Sequence, residues 1–461
     1  MFNPKLQRRK RFEISDQRFL VYWHFWIGIL IAPVLLLMSL TGGILLFEDE
    51  LLLRLLPHPN AETDSLGQRF TQRLEADYYD QLLPIVESQL GPDAIVWRVE
   101  LENHQGRLPR VFVASRSKPW PQKRYYVDPN TGEFFPPLAK VDPYDQNTNS
   151  YDTEDGDLFR STTLFHRTLY MGWFGRLLVE FSATWLIAST LLGVLLWFRS
   201  RKSRAEKMVS SDAGSIYLKL RHWHSTAGIL TAIAIVTIAW NGLHYSELYG
   251  TLYHGIARAS GQYDYLLDVP KGTLAGQVEL TPLELGKALR SAKASGLLWQ
   301  RISIQRLAAS SGALMIESGG DFPPSMTQTL YLDAQDHSIL KRYDYQDLGW
   351  MARWNKWSYS LHTGSFGGVV TKLLWLIVLL MIAFLPLSAC AMSLARRRKQ
   401  LLAAGQPVSF SSILPSRAIP EHRWVWLVVA AVGIVFPLIG LLALAIACAT
   451  WLLNPPRVSG G

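Results

Sequence analysis

Cysteine is nearly absent. The 461 residues include two, Cys390 and Cys448, and both lie inside apolar runs. A disulfide framework, a zinc site and a thiolate-bound iron–sulfur cluster are thereby excluded. Charge is scarce too: 18% of residues are charged against 49% hydrophobic. That is too apolar for disorder and too unevenly apolar for one soluble domain. Acidic residues are missing near the centres of the apolar runs, which argues against a transporter with midplane charges. No Gly-x-Gly-x-x-Gly follows a strand pattern, so the chain carries no dinucleotide fingerprint. The net charge of +9 gathers in short runs beside the apolar segments rather than in a groove. That pattern points to a membrane and away from nucleic acid.

A bilayer core about 30 Å thick needs roughly 20 apolar residues of helix. Five segments are long enough: Phe25 to Phe47, Leu177 to Phe198, Ser225 to Leu243, Leu373 to Leu394 and Trp424 to Leu453. Glu180 is the one charge in the second, and Pro437 can kink the fifth. Basic clusters at 8–11, 199–204 and 396–399 all fall on one side if the spans alternate. The N-terminus is then cytoplasmic and the large loops lie outside. The first span is too long for a signal peptide, and Phe47-Glu48-Asp49-Glu50 offers no small-residue cleavage site. The expected layout is a tail over 1–20, span one over 21–47 and an outside domain over 48–165. An outer histidine segment with span two follows over 166–198, then a basic loop over 199–219. Span three covers 220–247 and a second outside domain 248–360. A second histidine segment with span four covers 361–395, then a basic loop over 396–422 and span five over 423–453.

The outside stretches read as α+β. Residues 64–90 have helical periodicity, with Pro84 able to split them, before alternating strands over 96–101, 110–113 and 124–127. The last strand enters a turn at Asp128-Pro129-Asn130-Thr131-Gly132-Glu133. The second stretch repeats the order: a helix from Thr281 to about Ala294, strands near 301–304, 313–317 and 329–333, and a weaker turn at Ala334-Gln335-Asp336.

The chain duplicates itself. Trp23-His24-Phe25-Trp26-Ile27-Gly28-Ile29-Leu30 matches Trp223-His224-Ser225-Thr226-Ala227-Gly228-Ile229-Leu230 at an offset of 200. Leu164-Phe165-His166 leads to Phe174-Gly175 as Ser360-Leu361-His362 leads to Phe366-Gly367. The unit is span, outside domain, span, used twice, with the fifth span added.

Four of the 11 histidines, His24, His166, His224 and His362, recur at matched positions. The first and third spans begin near His24 and His224, at the cytoplasmic face. His166 and His362 precede the second and fourth spans, at the outer face. One histidine at a membrane edge is usually only polar; two repeat-matched pairs on two levels suggest axial ligands. Two facing imidazoles make a six-coordinate haem, and a helical bundle can supply them from opposite helices. Gly28, Gly42, Gly43, Gly228 and Gly242 could admit a flat macrocycle or serve close helix packing. His244, 20 residues beyond His224, lies at the outer level but about 200° around an ideal helix. It could replace His166 or His362 as an outer ligand. His222 is secondary, since Tyr22 fills its place in the first copy. His58, His104, His254, His337 and His422 receive no role. An offset of 192 sets Glu180 opposite Lys372, a possible ion pair. Alternatively Arg176 and Lys372 hold haem propionates at the outer face, or Lys372 snorkels to the interface.

The Trp-His-x-x-x-Gly-Ile-Leu openings, the Leu-Phe-His and Leu-His starts and the Tyr125-Tyr126-Val127-Asp128-Pro129-Asn130-Thr131-Gly132-Glu133 strand–turn resemble the PepSY-associated transmembrane helix family of bacteria. The resemblance covers about residues 15–395. Tyr331-Leu332-Asp333-Ala334-Gln335-Asp336 departs from the pattern. The resemblance implies a membrane helical bundle with two periplasmic α+β PepSY-like domains. It also implies an inner-membrane reductase with two b-type haems, passing electrons outward to siderophore-held iron and using the same four histidines. The electron donor is then a quinol or a cytoplasmic reductase, and the partners are the lipid bilayer and a periplasmic ferric chelate. The alternative is a membrane-anchored module whose outside domains bind a peptide or peptidase, which would leave the histidine repeat without a purpose.

Overall fold

A computed structural model describes residues 4–48, 50–51, 83–102, 109–115, 123–127, 134–135, 158–208, 216–262, 269–275, 283–297, 301–307, 311–319 and 323–404. The fifth expected span, most of the 64–90 helix and the Asp128–Glu133 turn lie outside these residues. In chain order the elements are α1 (Pro4–Leu46), β1 (Ala94–Glu102), β2 (Arg110–Ser115), β3 (Lys123–Val127), β4 (Phe134–Phe135), α2 (Leu158–Thr168), α3 (Gly172–Met208) and α4 (Ile216–Gly242). They continue with α5 (Leu248–Ala259), α6 (Leu285–Ala294), β5 (Arg301–Arg306), β6 (Ala313–Gly319), β7 (Gln328–Asp333), β8 (Ile339–Asp344), α7 (Trp350–Thr363) and α8 (Gly368–Ala404). The chain divides into two compact units: 1–43 with 165–252 and 373–461, and 44–164 with 253–372.

The first unit is helical. Four segments are long and apolar enough to cross a bilayer: Leu20–Leu46, Gly172–Arg199, Ile216–Tyr245 and Ser365–Arg396. They match the first four expected spans, the first ending one residue earlier, so this is a membrane protein. Ile27, Ile31 and Leu35, spaced four apart on one face of α1, pack with Trp185, Ile235, Ile238, Val378 and Ile382 from the other three helices. The opposite faces leave Leu40, Leu230, Ile233 and Leu380 more than half exposed. Apolar side chains on the outside and inside alike suit helices that pack in lipid, where burial alone does not drive association.

The second unit holds an eight-stranded antiparallel sheet in the order β4-β3-β2-β1-β5-β6-β7-β8. This corrects the expectation of two separate outside domains. The two stretches contribute four strands each, and β1 joins β5 at the centre with Glu100 opposite Ser303. Each half alone would leave a central strand edge unpaired, and pairing the two edges removes that liability. Helix 83–88 and α6 cover one face, burying Val86, Val99, Leu101, Leu289, Ile302 and Ile304 in one core. On the other face Met315 and Tyr331 pack with Leu348 and Ala352. A bulge in β1 between Val96 and Arg98 shifts the register, so Val96 and Val99 join one core although they are three residues apart. The turn after β7 is built on Asp333. Its carboxylate accepts the Gln335 N–H and both the N–H and hydroxyl of Thr273. Burial opposes ionisation of Asp333, but these hydrogen bonds outweigh it and hold the carboxyl below its ordinary pKa.

Glu180 and Lys372, offered as a possible pair, each meet another partner. The Glu180 carboxylate is 4% exposed and accepts the N–H groups of Leu248 and Tyr249, both at 2.8 Å. It thereby satisfies orphan donors at the start of α5, where the helix dipole favours an anion. Lys372 pairs with Glu50 at 2.9 Å. Each charge found a partner closer in its own surroundings than the repeat offset suggested.

Candidate functional site

His24 and His224 come together in the helical unit. Their ring centres are 6.1 Å apart, with planes at 79°. His24 belongs to α1 and His224 to α4, as the duplication implies. The Nδ1 of each is held by a neighbouring helix. His24 Nδ1 lies 2.9 Å from the Ser189 carbonyl oxygen, with the Ser189 hydroxyl at 3.2 Å. A carbonyl only accepts, so Nδ1 carries the proton and the Nε2 lone pair is left for another partner. His224 Nδ1 lies 2.8 Å from the Ser388 hydroxyl, which donates its own hydrogen to the Leu385 carbonyl at 2.8 Å. That oxygen therefore accepts from Nδ1–H, and His224 takes the same tautomer.

The sequence reading missed Ser189, Ser388 and Gly193. A Cβ placed on Gly193 would stand 3.1 Å from His24 Cε1. The absence of a side chain there lets the imidazole reach the carbonyl one turn earlier in α3. The signal was a serine four residues before a glycine, legible only with the facing helix known.

Both rings line a cavity of ≈ 330 Å³, within the usual range for a small-ligand site. Its walls include Gly28, Gly228, Ile31, Leu186, Val194, Trp197, Ile229 and Leu385. Gly28 and Gly228 follow the histidines by four residues, so they lie beneath the rings on the same helix faces. A Cβ on Gly28 would meet nothing within 4 Å, which identifies open space rather than close helix packing there.

These residues fit a bis-imidazole haem. Metal–nitrogen bonds of about 2 Å, with each ring centre about 1 Å further back, separate two axial rings by about 6 Å. Among the described residues no three His, Cys, Asp or Glu converge on one point, but this group needs only two protein ligands.

The outer candidates are distributed differently. His166, in α2, sets Nδ1 2.8 Å from the Thr41 hydroxyl, and that hydroxyl donates to the Leu37 carbonyl at 2.8 Å. The tautomer argument is the same: the Thr41 hydroxyl, already donating to Leu37, accepts from Nδ1–H. His244 is 1% exposed and meets Tyr249 edge-on at 5.5 Å. Because α4 ends at Gly242 and Leu243–Tyr245 forms a tighter 3-10 turn, the angle expected for a continuous helix does not apply to it. His362 closes α7 in the sheet-bearing unit. Arg176 pairs with Glu247 at 2.8 Å and Lys372 with Glu50. Both cations considered for propionates thus already face a carboxylate. His222 is exposed beside Trp223.

The sequence profile of the family described as PepSY-associated TM region matches residues 21–396. No curated protein matches the chain.

Proposed function

From the premise that the chain belongs to the PepSY-associated TM region family, we propose that it is a b-type cytochrome of the bacterial inner membrane. It carries electrons from a quinol or cytoplasmic reductase to a periplasmic ferric chelate, with a siderophore complex as the acceptor class. The carrying observation is the His24–His224 pair: two rings 6.1 Å apart, latched through Nδ1, on a shared cavity. A haem bound there supplies one-electron redox chemistry that amino-acid side chains lack. The chain's own residues do the rest. Ser189 and Ser388 fix the imidazole tautomers and raise ligand basicity. Gly28 leaves room for a flat ring, and the cavity walls are largely apolar.

His166, latched by Thr41 in the same manner, is the first ligand of a second haem at the outer level. His244, in the same helical unit, is the candidate for its partner. Delivery of an electron to Fe(III) loosens a hard-oxygen ligand set, which suits release of chelated iron. The basic clusters support a cytoplasmic N-terminus and a periplasmic sheet-bearing unit.

The test is a visible spectrum of the purified chain before and after dithionite. A reducible low-spin haem signal is expected; a colourless preparation from haem-replete cells rejects the reading. His24→Ala and His224→Ala should each remove one haem and spare the other, whereas loss of both or neither rejects the pairing. Wild-type chain should then reduce a ferric siderophore in the presence of an Fe(II) trap, and His166→Ala should not.

A further inference from the structure

Two cations line the His24–His224 cavity that neither the repeat nor the functional reading assigns: Arg221 and Arg396. No Asp or Glu stands among the described residues lining it. The structure gives neither guanidinium an ion pair with a described residue, although Arg98, Arg110, Arg124, Arg176 and Arg306 all have one. The remaining wall is apolar apart from hydroxyls, the imidazoles and Tyr217. A cavity with a greasy body, two imidazoles and two guanidiniums that meet no carboxylate among the described residues suits an apolar ligand that carries anionic groups at one end.

Both arginines lie toward the same end. Arg221 precedes His224 by three residues on α4, about 4–5 Å along the axis toward its N-terminus. Arg396 follows Ser388 by eight residues on α8, about 12 Å toward its C-terminus. Ser388 touches His224, so these two displacements start from one level. Helices α4 and α8 are the third and fourth spans and cross in opposite senses, so both displacements point to one membrane face. A guanidinium presents a planar fork of donors that matches a carboxylate.

Resting on the haem reading, we propose that Arg221 and Arg396 receive the two propionate carboxylates of the porphyrin in this cavity and fix its orientation. They act as cofactor-binding residues for the inner site, as Arg176 and Lys372 were considered for the outer face.

The test is a Soret titration of full-length chain, purified in detergent from haem-depleted cells. It compares haem with haem dimethyl ester, whose carboxylates are masked. The inner site is read as the component lost in His24→Ala. Wild type is expected to prefer haem over the ester by tenfold or more. Arg221→Ala and Arg396→Ala should each reduce that preference. The double variant should abolish it while binding the ester as wild type does, which also reports an intact fold. Equal wild-type affinity for the two, or a preference untouched in the double variant, overturns the proposal and leaves the arginines as interfacial cations facing lipid phosphate. If wild type bound neither molecule, the haem reading itself would fall.

Discussion

The two latches differ in a way that a pair of serine substitutions can separate. Ser388→Ala deletes the hydroxyl that accepts from His224 Nδ1 at 2.8 Å and leaves the Leu385 main-chain carbonyl as the nearest other acceptor among the described residues. Ser388 is 3% exposed, so water cannot readily replace it. A donor left without a well-placed partner costs up to about 1–3 kcal/mol, which at 1.4 kcal/mol per tenfold is at most roughly 5- to 150-fold in affinity. Loss of an outer-shell partner to a metal-bound histidine typically costs a similar 10- to 100-fold. Ser189→Ala removes only the hydroxyl at 3.2 Å, and the main-chain carbonyl at 2.9 Å remains. Its effect should stay within about threefold, since the surviving bond satisfies the same proton. The assay is haem affinity of the full-length chain by Soret titration, with thermal unfolding to exclude global damage. Ser388→Thr should restore most of the loss, since it returns a hydroxyl. Equal losses for the two alanine variants, or none for Ser388→Ala, would refute the tautomer argument.

Three further outcomes follow from single contacts. Gly193→Leu should empty the inner site and spare the outer one, because even a Cβ would press within 3.1 Å of His24 Cε1; the reduced spectrum should fall by one haem. Glu180→Ala should lower thermal stability by about 1–3 kcal/mol, since two N–H groups at the start of α5 lose a charged acceptor; denaturation of the purified chain measures it. His337 is 3% exposed, and burial lowers its pKa below 6.5 despite Glu284 at 3.7 Å, which opposes the shift. As pH falls through 6.5 the unfolded chain takes up a proton that the folded site resists, so stability should fall between pH 7 and 5. His337→Gln should flatten that slope in denaturant melts, and an unchanged slope would assign it to other groups.

The first four spans were legible because apolar runs of that length with at most one charge have few other uses. The strands were legible through alternation, as in Arg301-Ile302-Ser303-Ile304, where both isoleucines are fully buried. The join of β1 to β5 was not, because strands about 200 residues apart carry no local sign of their pairing. His24 with His224 was visible in the duplication itself. Their serine latches were not. The offset of 192 that aligns Phe174-Gly175 with Phe366-Gly367 sets Ser189 opposite Met381, whereas the latch is Ser388, seven residues further on. Seven residues are close to two helical turns, so the hydroxyl returns to the same face at a different height. A fixed-offset comparison loses it, and a helix-periodic one would keep it. Glu180 misled in the opposite direction, since its partners are main-chain N–H groups that no sequence comparison displays.

The latches also explain what duplication contributes to this site. In the first copy α1 supplies His24 and α3 holds it at Ser189. In the second, α4 supplies His224 and α8 holds it at Ser388. Each copy therefore orients its own imidazole from within, and the two rings meet only across the boundary between copies, 6.1 Å apart. One copy alone would present a single oriented ring and half a cavity wall. A bis-imidazole site needs two such faces. The arrangement therefore requires the copies to keep the histidine and its glycine four residues on, as both do, while the latch may change chemistry from a carbonyl to a hydroxyl. The requirement falls on the free nitrogen, and any acceptor that fixes the other one serves.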